Sequence, residues 1–376
     1  MDHSVGSGPI LVALSGGVDS SVAAALLVKA GHDVTGVTLK LWGGTSDSGC
    51  CSVSDVDDAR RVAQQLGIDH HVFNFGDDFD RHVVAPYVED HRRGLTPNPC
   101  VECNRHIKFD KLLRRADALG FDQVATGHHA GIATDADGTR RVTRGADRAK
   151  DQSYVLHMLD QAQLARLRFP VGDRTKDDVR ALAAQLGLRT AAKADSQDVC
   201  FIHSTGGRET FLGDRIPLRS ARLVEADGRE VGSVPSIELV TLGQRKGLDL
   251  GGDGRRRYAV DIDHETATVT VGPREALEVP AQIVTGLAWS HQPVPGPFLV
   301  QTSAHGRPVP ADLVTGGAAA AGGGSGDGCS EGDGDVLVWR RPQRRVAPGQ
   351  SVVLYHDDVV VGGGTAGPAL TAWPER

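Results

Sequence analysis

The chain has 376 residues, of which 40% are hydrophobic and 24% charged, with a net charge of −7. That length predicts two or three domains, and no apolar run approaches the roughly 20 residues of a membrane span. The start, Met1-Asp2-His3-Ser4, has neither the basic region nor the apolar stretch of a signal peptide, so a cytoplasmic location is expected, where thiols stay reduced.

The first informative segment follows at once. An apolar run, Ile10-Leu11-Val12, leads into Ala13-Leu14-Ser15-Gly16-Gly17-Val18-Asp19-Ser20-Ser21, and the apolar stretch 22–27 comes next. This order predicts a buried strand, a glycine turn and a helix. Glycines let the backbone close around an anion, and the free N–H groups of the turn and helix N-terminus face it. Ser15, Ser20 and Ser21 add hydroxyls, and Asp19 suits a site where Mg²⁺ lies between carboxylate and phosphate. No Gly-Lys-Ser/Thr follows, which excludes a Walker-A loop. The segment looks like the pyrophosphate loop, Ser-Gly-Gly-x-Asp-Ser, of enzymes that split ATP into AMP and pyrophosphate. The plainer reading is a glycine-bearing strand–helix turn.

Downstream, 34–41 reads as a strand. Residues 55–66 read as a helix, with Val56, Ala59, Val62, Ala63 and Leu66 at helical spacing. Residues 71–75 read as a strand, 78–92 and 105–119 as helices, 123–126 as a strand, and Thr175 as the N-cap of a helix running to Leu186. Such alternation predicts an α/β fold with a doubly wound parallel sheet over residues 1–207, its ligands beyond the C-terminal strand ends. Beyond 207 the texture changes to short β runs (223–231 with a turn at Asp227-Gly228, 258–263, 268–271, 283–287, 298–303, 336–339, 351–355 and 358–361). These predict a small bridging β domain over 208–278 and a C-terminal β-barrel over 279–376. Residues 316–335 are nearly all Gly, Ala, Ser and Asp, and are expected to form a disordered insert.

The six cysteines read as reactive, metal-binding or incidental rather than as disulfides. In Thr96-Pro97-Asn98-Pro99-Cys100-Val101-Glu102-Cys103-Asn104, two prolines predict a stiff extended loop that delivers Cys103 to the start of a helix near Arg105. There a thiol becomes more acidic and more reactive. Cys200 lies in the apolar run of Ser196-Gln197-Asp198-Val199-Cys200-Phe201-Ile202, where a small packed hydrophobe is the plainer reading. Cys100-x-x-Cys103, with Cys50 and Cys51, also offers a metal-ligand spacing. Basic patches stand at Arg140, Arg141, Arg144, Arg148 and Lys150; at Arg245, Lys246 and 255–257; and at Arg340, Arg341, Arg344 and Arg345. Each reads either as a nucleic-acid contact or as a solvated charged face.

Together these segments resemble the tRNA-specific 2-thiouridylase family over nearly the whole chain. The matches include Ser15–Ser21, Gly49-Cys50-Cys51-Ser52, Asp58-Ala59-Arg60, Thr96–Asn104 with Lys108-Phe109, and Thr126-Gly127-His128. They continue with Lys150-Asp151-Gln152-Ser153-Tyr154, Ser196–Ile202, Gly243-Gln244-Arg245-Lys246-Gly247-Leu248 and Pro348-Gly349-Gln350. The resemblance implies an adenine-nucleotide α-hydrolase-like first domain, a bridging β domain and a barrel that grips tRNA. It implies that O2 of the wobble uridine is adenylated by ATP with Mg²⁺ and replaced by sulfur from a donor protein, a cysteine desulfurase or relay protein; a monomer is expected. By position it places ATP at Ala13, Leu14, Ser15, Gly16, Gly17, Val18, Asp19, Ser20, Leu39 and Gly127. It makes Cys103 the nucleophile and Cys200 the persulfide carrier, lines the target base with Asn98, Pro99 and Cys100, and sets His128, Lys150, Asp151, Gln152 and Gln343 against tRNA.

The chain departs from that pattern in places. Many members carry Asp where this chain has Cys100, a Tyr is common at His129, and the usual His before Gly243-Gln244-Arg245-Lys246-Gly247 is missing. Three rival classes remain: a pyrophosphate-loop thiolase built on a cysteine-bound metal cluster, an amidating synthetase (although no glutaminase-like segment is present), and a non-catalytic RNA-binding module.

Overall fold

The computed structural model describes residues 8–41, 53–195, 199–202, 207–250, 256–316 and 334–372. Cys50, Cys51, Cys329 and the triplet 196–198 lie outside the described residues, as does 317–333, most of the Gly-rich insert.

A parallel sheet organises the first part. Its strands are β1 (Ile10–Ala13), β2 (Val34–Lys40), β3 (His70–Asn74) and β4 (Gln123–Ala125). The alternation in β1 assigns the two faces, because successive side chains point opposite ways. Ile10 and Val12 pack with Ala24 and Leu27 of α1 (Val18–Lys29) and with Ala59 and Ala63 of α2 (Val53–Leu66). Leu11 joins Phe79, Phe109 and Leu112, which belong to helical segments 76–92 and 99–118 on the opposite face. After β4 the chain forms an antiparallel hairpin, β5 (Ala130–Thr134) and β6 (Arg140–Arg144), and returns to the sheet edge as β7 (Leu167–Arg168). The strand order is β3-β2-β1-β4-β7, every pairing parallel. The order therefore reverses between β1 and β4, at whose C-terminal ends a doubly wound sheet opens its ligand crevice.

A second sheet has its own small core, which includes Leu223, Ile237, Ala259 and Val269. It holds β8 (Ala221–Val224), β9 (Glu230–Val234), β10 (Asp249–Leu250), β11 (Tyr258–Asp263) and β12 (Thr268–Gly272).

Six antiparallel strands close the barrel: β13 (Glu278–Trp289), β14 (Phe298–Gln301), β15 (Val309–Val314), β16 (Asp335–Arg344), β17 (Ser351–His356) and β18 (Val359–Leu370). Closure comes from the pairing of β13 with both β16 and β18, which removes the exposed edges. The Gly-rich insert joins β15 to β16 beyond the paired residues Val314 and Val336.

The hairpin β5–β6 was not legible in the sequence, and it crosses the expected boundary at 207. Thr143 pairs with Val359, so the hairpin extends the barrel's sheet. The largest core cluster likewise mixes Tyr154 and Leu156 with Val353, Tyr355 and Val360 of the barrel.

Candidate active site

The glycine turn lies at the C-terminal end of β1. Leu14 continues the sheet, its N–H donating to Val37 O at 2.7 Å and its carbonyl accepting from Thr38 Oγ1 at 2.8 Å. Gly16 then takes φ +74, a left-handed turn. The hydroxyls divide by role. Ser20 and Ser21 are buried and donate to the Gly17 carbonyl at 3.1 and 2.8 Å, and Ser20 Oγ accepts from the Ser15 N–H at 3.1 Å. These two serines brace the loop, and Ser15 is exposed. Gly127, just after β4, presses on the first turn of α1. A Cβ there would sit 2.5 Å from Ser20 N and 2.7 Å from the Asp19 carbonyl carbon. Leu39, near the end of β2, is buried in the cluster that holds Leu11 and Phe109.

Charged side chains flank the turn. Lys176 Nζ donates to both oxygens of Asp19 at 2.8 and 2.7 Å and pairs with Asp195 at 2.9 Å. His129 Nε2 is 3.0 Å from Asp19 Oδ1. Burial works against the Asp19 charge, but the bonds from His129 and Lys176 outweigh it and lower the carboxyl pKa. Asp195 also binds Lys150 at 2.8 Å and Arg180 at 2.7 Å. Burial again opposes its charge, and Lys150 and Lys176 hold its pKa far below the usual carboxylate range. Lys193 Nζ ties the Gly16 carbonyl (3.0 Å) to Asp55 and Asp58 of α2 (both 2.7 Å). Sequence reasoning missed the roles of Lys176, Asp195 and Lys193, which lie far from the glycine turn in sequence and form no contiguous motif with it.

The cysteine segment departs from expectation. The helix starts at Pro99 rather than near Arg105: Asn98 is its N-cap, accepting the Cys100 N–H at 3.1 Å, and Pro99 fills the first position. Cys100 therefore sits in the first turn and buried Cys103 one turn further in. Asn98 followed by Pro99 is itself a helix-start signal. Tyr154 has its pKa pushed up by burial, with the Asn98 side chain acting in the opposite direction. Cys200 is half-buried against the core cluster that contains Cys103. Phe201 meets Tyr87 edge-on with centroids 5.4 Å apart, and Tyr87, whose pKa burial raises, also feels the charge of Cys100. The two cysteine segments thus converge on Tyr87.

Three family models cover this architecture: a tRNA methyl transferase HUP domain over residues 9–204, a tRNA methyl transferase PRC-barrel domain over 209–273, and an aminomethyltransferase beta-barrel domain over 331–366. Full-length relatives named tRNA-specific 2-thiouridylase MnmA include one from Chloroflexus aggregans, 47% identical across 94% of this chain and 97% of its own length. Those from Mycobacteroides abscessus (48%; 93% and 95%) and Streptomyces coelicolor (44%; 95% and 94%) are similar. The chain belongs to the tRNA-specific 2-thiouridylase family.

Within this family frame, the residues set against tRNA divide. Lys150 is exposed and Gln343 half-buried near the end of β16. Gln152 accepts the His129 N–H at 2.9 Å. His128 is enclosed by Phe109 and Phe169 and bonds Thr126 at 2.6 Å; burial, with Lys108 adding to it, keeps it neutral by pushing its pKa well down. Asp151 spends its carboxylate internally on Arg144 (2.8 Å), Gly145 N–H (3.0 Å) and Ser153. The side chains of His128 and Asp151 therefore order the protein. The first basic patch is also largely internal: Arg144 is 9% exposed and lies 3.8 Å over the Tyr355 ring, Arg141 pairs with Asp135, and Arg140 bonds the Leu164 and Ala165 carbonyls. Arg340, Arg341 and Arg344 stay exposed. Among the described residues, no group of three or more His, Cys, Asp or Glu side chains is placed to hold a metal ion, and no helix is long and apolar enough to cross a membrane.

Proposed function

We propose that this chain is a tRNA-uridine 2-sulfurtransferase that replaces O2 of the wobble uridine with sulfur at the expense of ATP. The observation that carries this reading is the convergence of the Cys100–Cys103 turn and the Cys200–Phe201 segment on Tyr87, in a domain whose glycine turn offers an anion cradle. The division of labour follows: 1–207 activates and thiolates, 208–278 bridges, and 279–376 grips tRNA.

The chemistry accounts for the parts. The uracil 2-carbonyl is a poor electrophile and its oxygen a poor leaving group. Attack of O2 on the α-phosphorus of ATP forms the O–P bond and expels pyrophosphate toward the glycine turn, whose N–H groups stabilise the growing charge. ATP is consumed here as a substrate. Its Mg²⁺ would neutralise phosphate charge, and because Lys176 and His129 hold the Asp19 oxygens, phosphate oxygens would be its ligands. Cys200, loaded as a persulfide by a desulfurase or relay protein, attacks C2 through its terminal sulfur, and AMP departs with the former O2. The Cys103 thiolate then attacks Cys200 Sγ. The bond between the persulfide sulfurs breaks, its electron pair stays on the sulfur bound to C2, and the products are the thiocarbonyl and a Cys103–Cys200 disulfide. A cellular dithiol reductant restores both thiols. The target base leaves its stack in the anticodon loop to lie against Asn98, Pro99 and Cys100, at a cost of only a few kcal/mol.

Mass spectrometry of tRNA nucleosides after incubation with ATP, Mg²⁺, cysteine and a desulfurase tests this. Wild type should yield 2-thiouridine and AMP. Cys200→Ser should yield neither thiolated base nor a disulfide while binding ATP as wild type does, and full thiolation by that variant would overturn the assignment.

A further inference from the structure

One peptide unit of the glycine turn has its direction set from outside the loop. The Gly16 carbonyl accepts from Lys193 Nζ at 3.0 Å. In a planar trans peptide the C=O and the next N–H point opposite ways. The Gly17 N–H is therefore turned to the other side, where it meets the exposed Ser15 Oγ at the long distance of 3.4 Å. That N–H is the one this peptide offers to an anion. Ser20 and Ser21 hold the next carbonyl, Gly17 O, from within α1. The Gly16–Gly17 peptide instead depends on a side chain 177 positions away. Sterics do little to oppose its flip, because glycine accepts both signs of φ and both ends are glycine. Gly16 stands at φ +74 and Gly17 at −93. A flip would aim a carbonyl dipole at the anion and withdraw a donor.

The surroundings of Lys193 suit it to this task. Its Nζ also donates to Asp55 and Asp58 of α2, both at 2.7 Å. With Gly16 O these use all three ammonium hydrogens, which leaves none for a phosphate. Burial opposes the charge, but the bonds from Asp55 and Asp58 outweigh it and raise the lysine pKa. The backbone is tied in turn: Arg180, in the helix Lys176–Gln185, donates to Ala191 O and Lys193 O at 3.0 and 2.9 Å. We infer that Lys193 is a positioning residue for nucleotide binding: it latches the Gly16–Gly17 peptide so that the Gly17 N–H faces the departing pyrophosphate. It touches no reacting atom. The inference rests on the reading of the glycine turn as the pyrophosphate cradle.

Titration calorimetry with ATP, inorganic pyrophosphate and AMP, each in Mg²⁺, compares wild type with Lys193→Met, which keeps the stem and removes the ammonium. ATP and pyrophosphate should weaken by a similar factor, about tenfold or more. AMP, which lacks the two phosphates that leave toward the turn, should stay within about twofold. The double variant Lys193→Met/Asp58→Asn removes a carboxylate that the first leaves unpaired, and it should bind pyrophosphate as weakly as Lys193→Met. It also carries the same comparison should the single variant fail to fold. If AMP weakens in step with ATP, Lys193 supports the domain at large and the latch is refuted. Pyrophosphate affinity restored in the double variant would make carboxylate repulsion the cause, with the same consequence. A folded Lys193→Met that binds pyrophosphate as wild type does overturns the latch alone. A wild type that binds AMP but no pyrophosphate overturns the cradle reading itself, and the latch with it.

Discussion

Burial decides the protonation of three histidines. His91 and His157 have pKa values pushed down to about 4, chiefly by desolvation, with Arg208 and Arg105 adding repulsion, and burial holds His128 well below its ordinary value inside its aromatic cage. A folded pKa below the unfolded value of about 6.5 means that the unfolded chain binds more protons between those limits. Stability therefore falls as pH drops through that window, by about 2 kcal/mol for each such histidine between pH 7 and pH 5. The lowered carboxylates, Asp19 and Asp195, act only at more acidic pH. Calorimetry across pH 7 to 5 should show a steep fall in Tm, and His157→Gln should remove about a third of it; a level profile in wild type would refute the account. Gly127 sets a second test at this scale. Its Cβ-free backbone lies against Asp19 and Ser20, and Gly127→Ala must push the loop by overpacking, at about 1–3 kcal/mol. ATP titration calorimetry should find affinity weakened about tenfold or more.

At the scale of elements, the helical stretch 99–118 depends on its cap. Asn98→Ala removes the acceptor for the Cys100 N–H and should cost about 1 kcal/mol of stability. Hydrogen exchange should show the loss concentrated at Cys100 and Val101; protection unchanged there would count against the cap. This helix also marks where sequence reading stopped short. Periodicity placed 55–66, and the capping pair Thr175 and Asp178 placed the following helix, because each signal is local; both helices form, the latter with its capping box in place. The Asn98-Pro99 start was hidden by reading both prolines as loop. The hairpin at 130–144 has no hydrophobic alternation of its own and is ordered by Asp151, Arg144 and the barrel. The glycine turn was legible as a contiguous motif. The web of Lys176, Lys193, Asp55, Asp58 and Asp195 that holds it was not, since its members are brought together only by the fold.

Taken whole, the molecule divides its cores differently from its domains. Tyr154 and Leu156 share one apolar cluster with Val353, Tyr355 and Val360 across a sequence separation of about two hundred residues, and Ser153 Oγ meets Tyr355 OH at 3.1 Å. The central sheet instead keeps its core to itself within 221–271. It joins the rest mainly through polar contacts such as Arg208 to Leu239 O (2.6 Å) and Arg345 to Val260 O (2.7 Å), with the Leu239 side chain packing against the larger cluster. Contacts buried in a common core unfold together, whereas a separately cored unit linked by polar contacts can open alone. We therefore expect the nucleotide-binding region and the barrel to share one cooperative transition, with the central sheet melting independently. Tyr355→Ala, which empties part of the shared core at a cost of about 3–5 kcal/mol, should lower hydrogen-exchange protection in β1 and β4 as well as in β17. Protection in 221–272 should stay as in wild type. If β1 and β4 keep full protection while β17 opens, the two regions are thermodynamically separate, and the barrel is then docked against the nucleotide-binding region rather than built into the same folding unit.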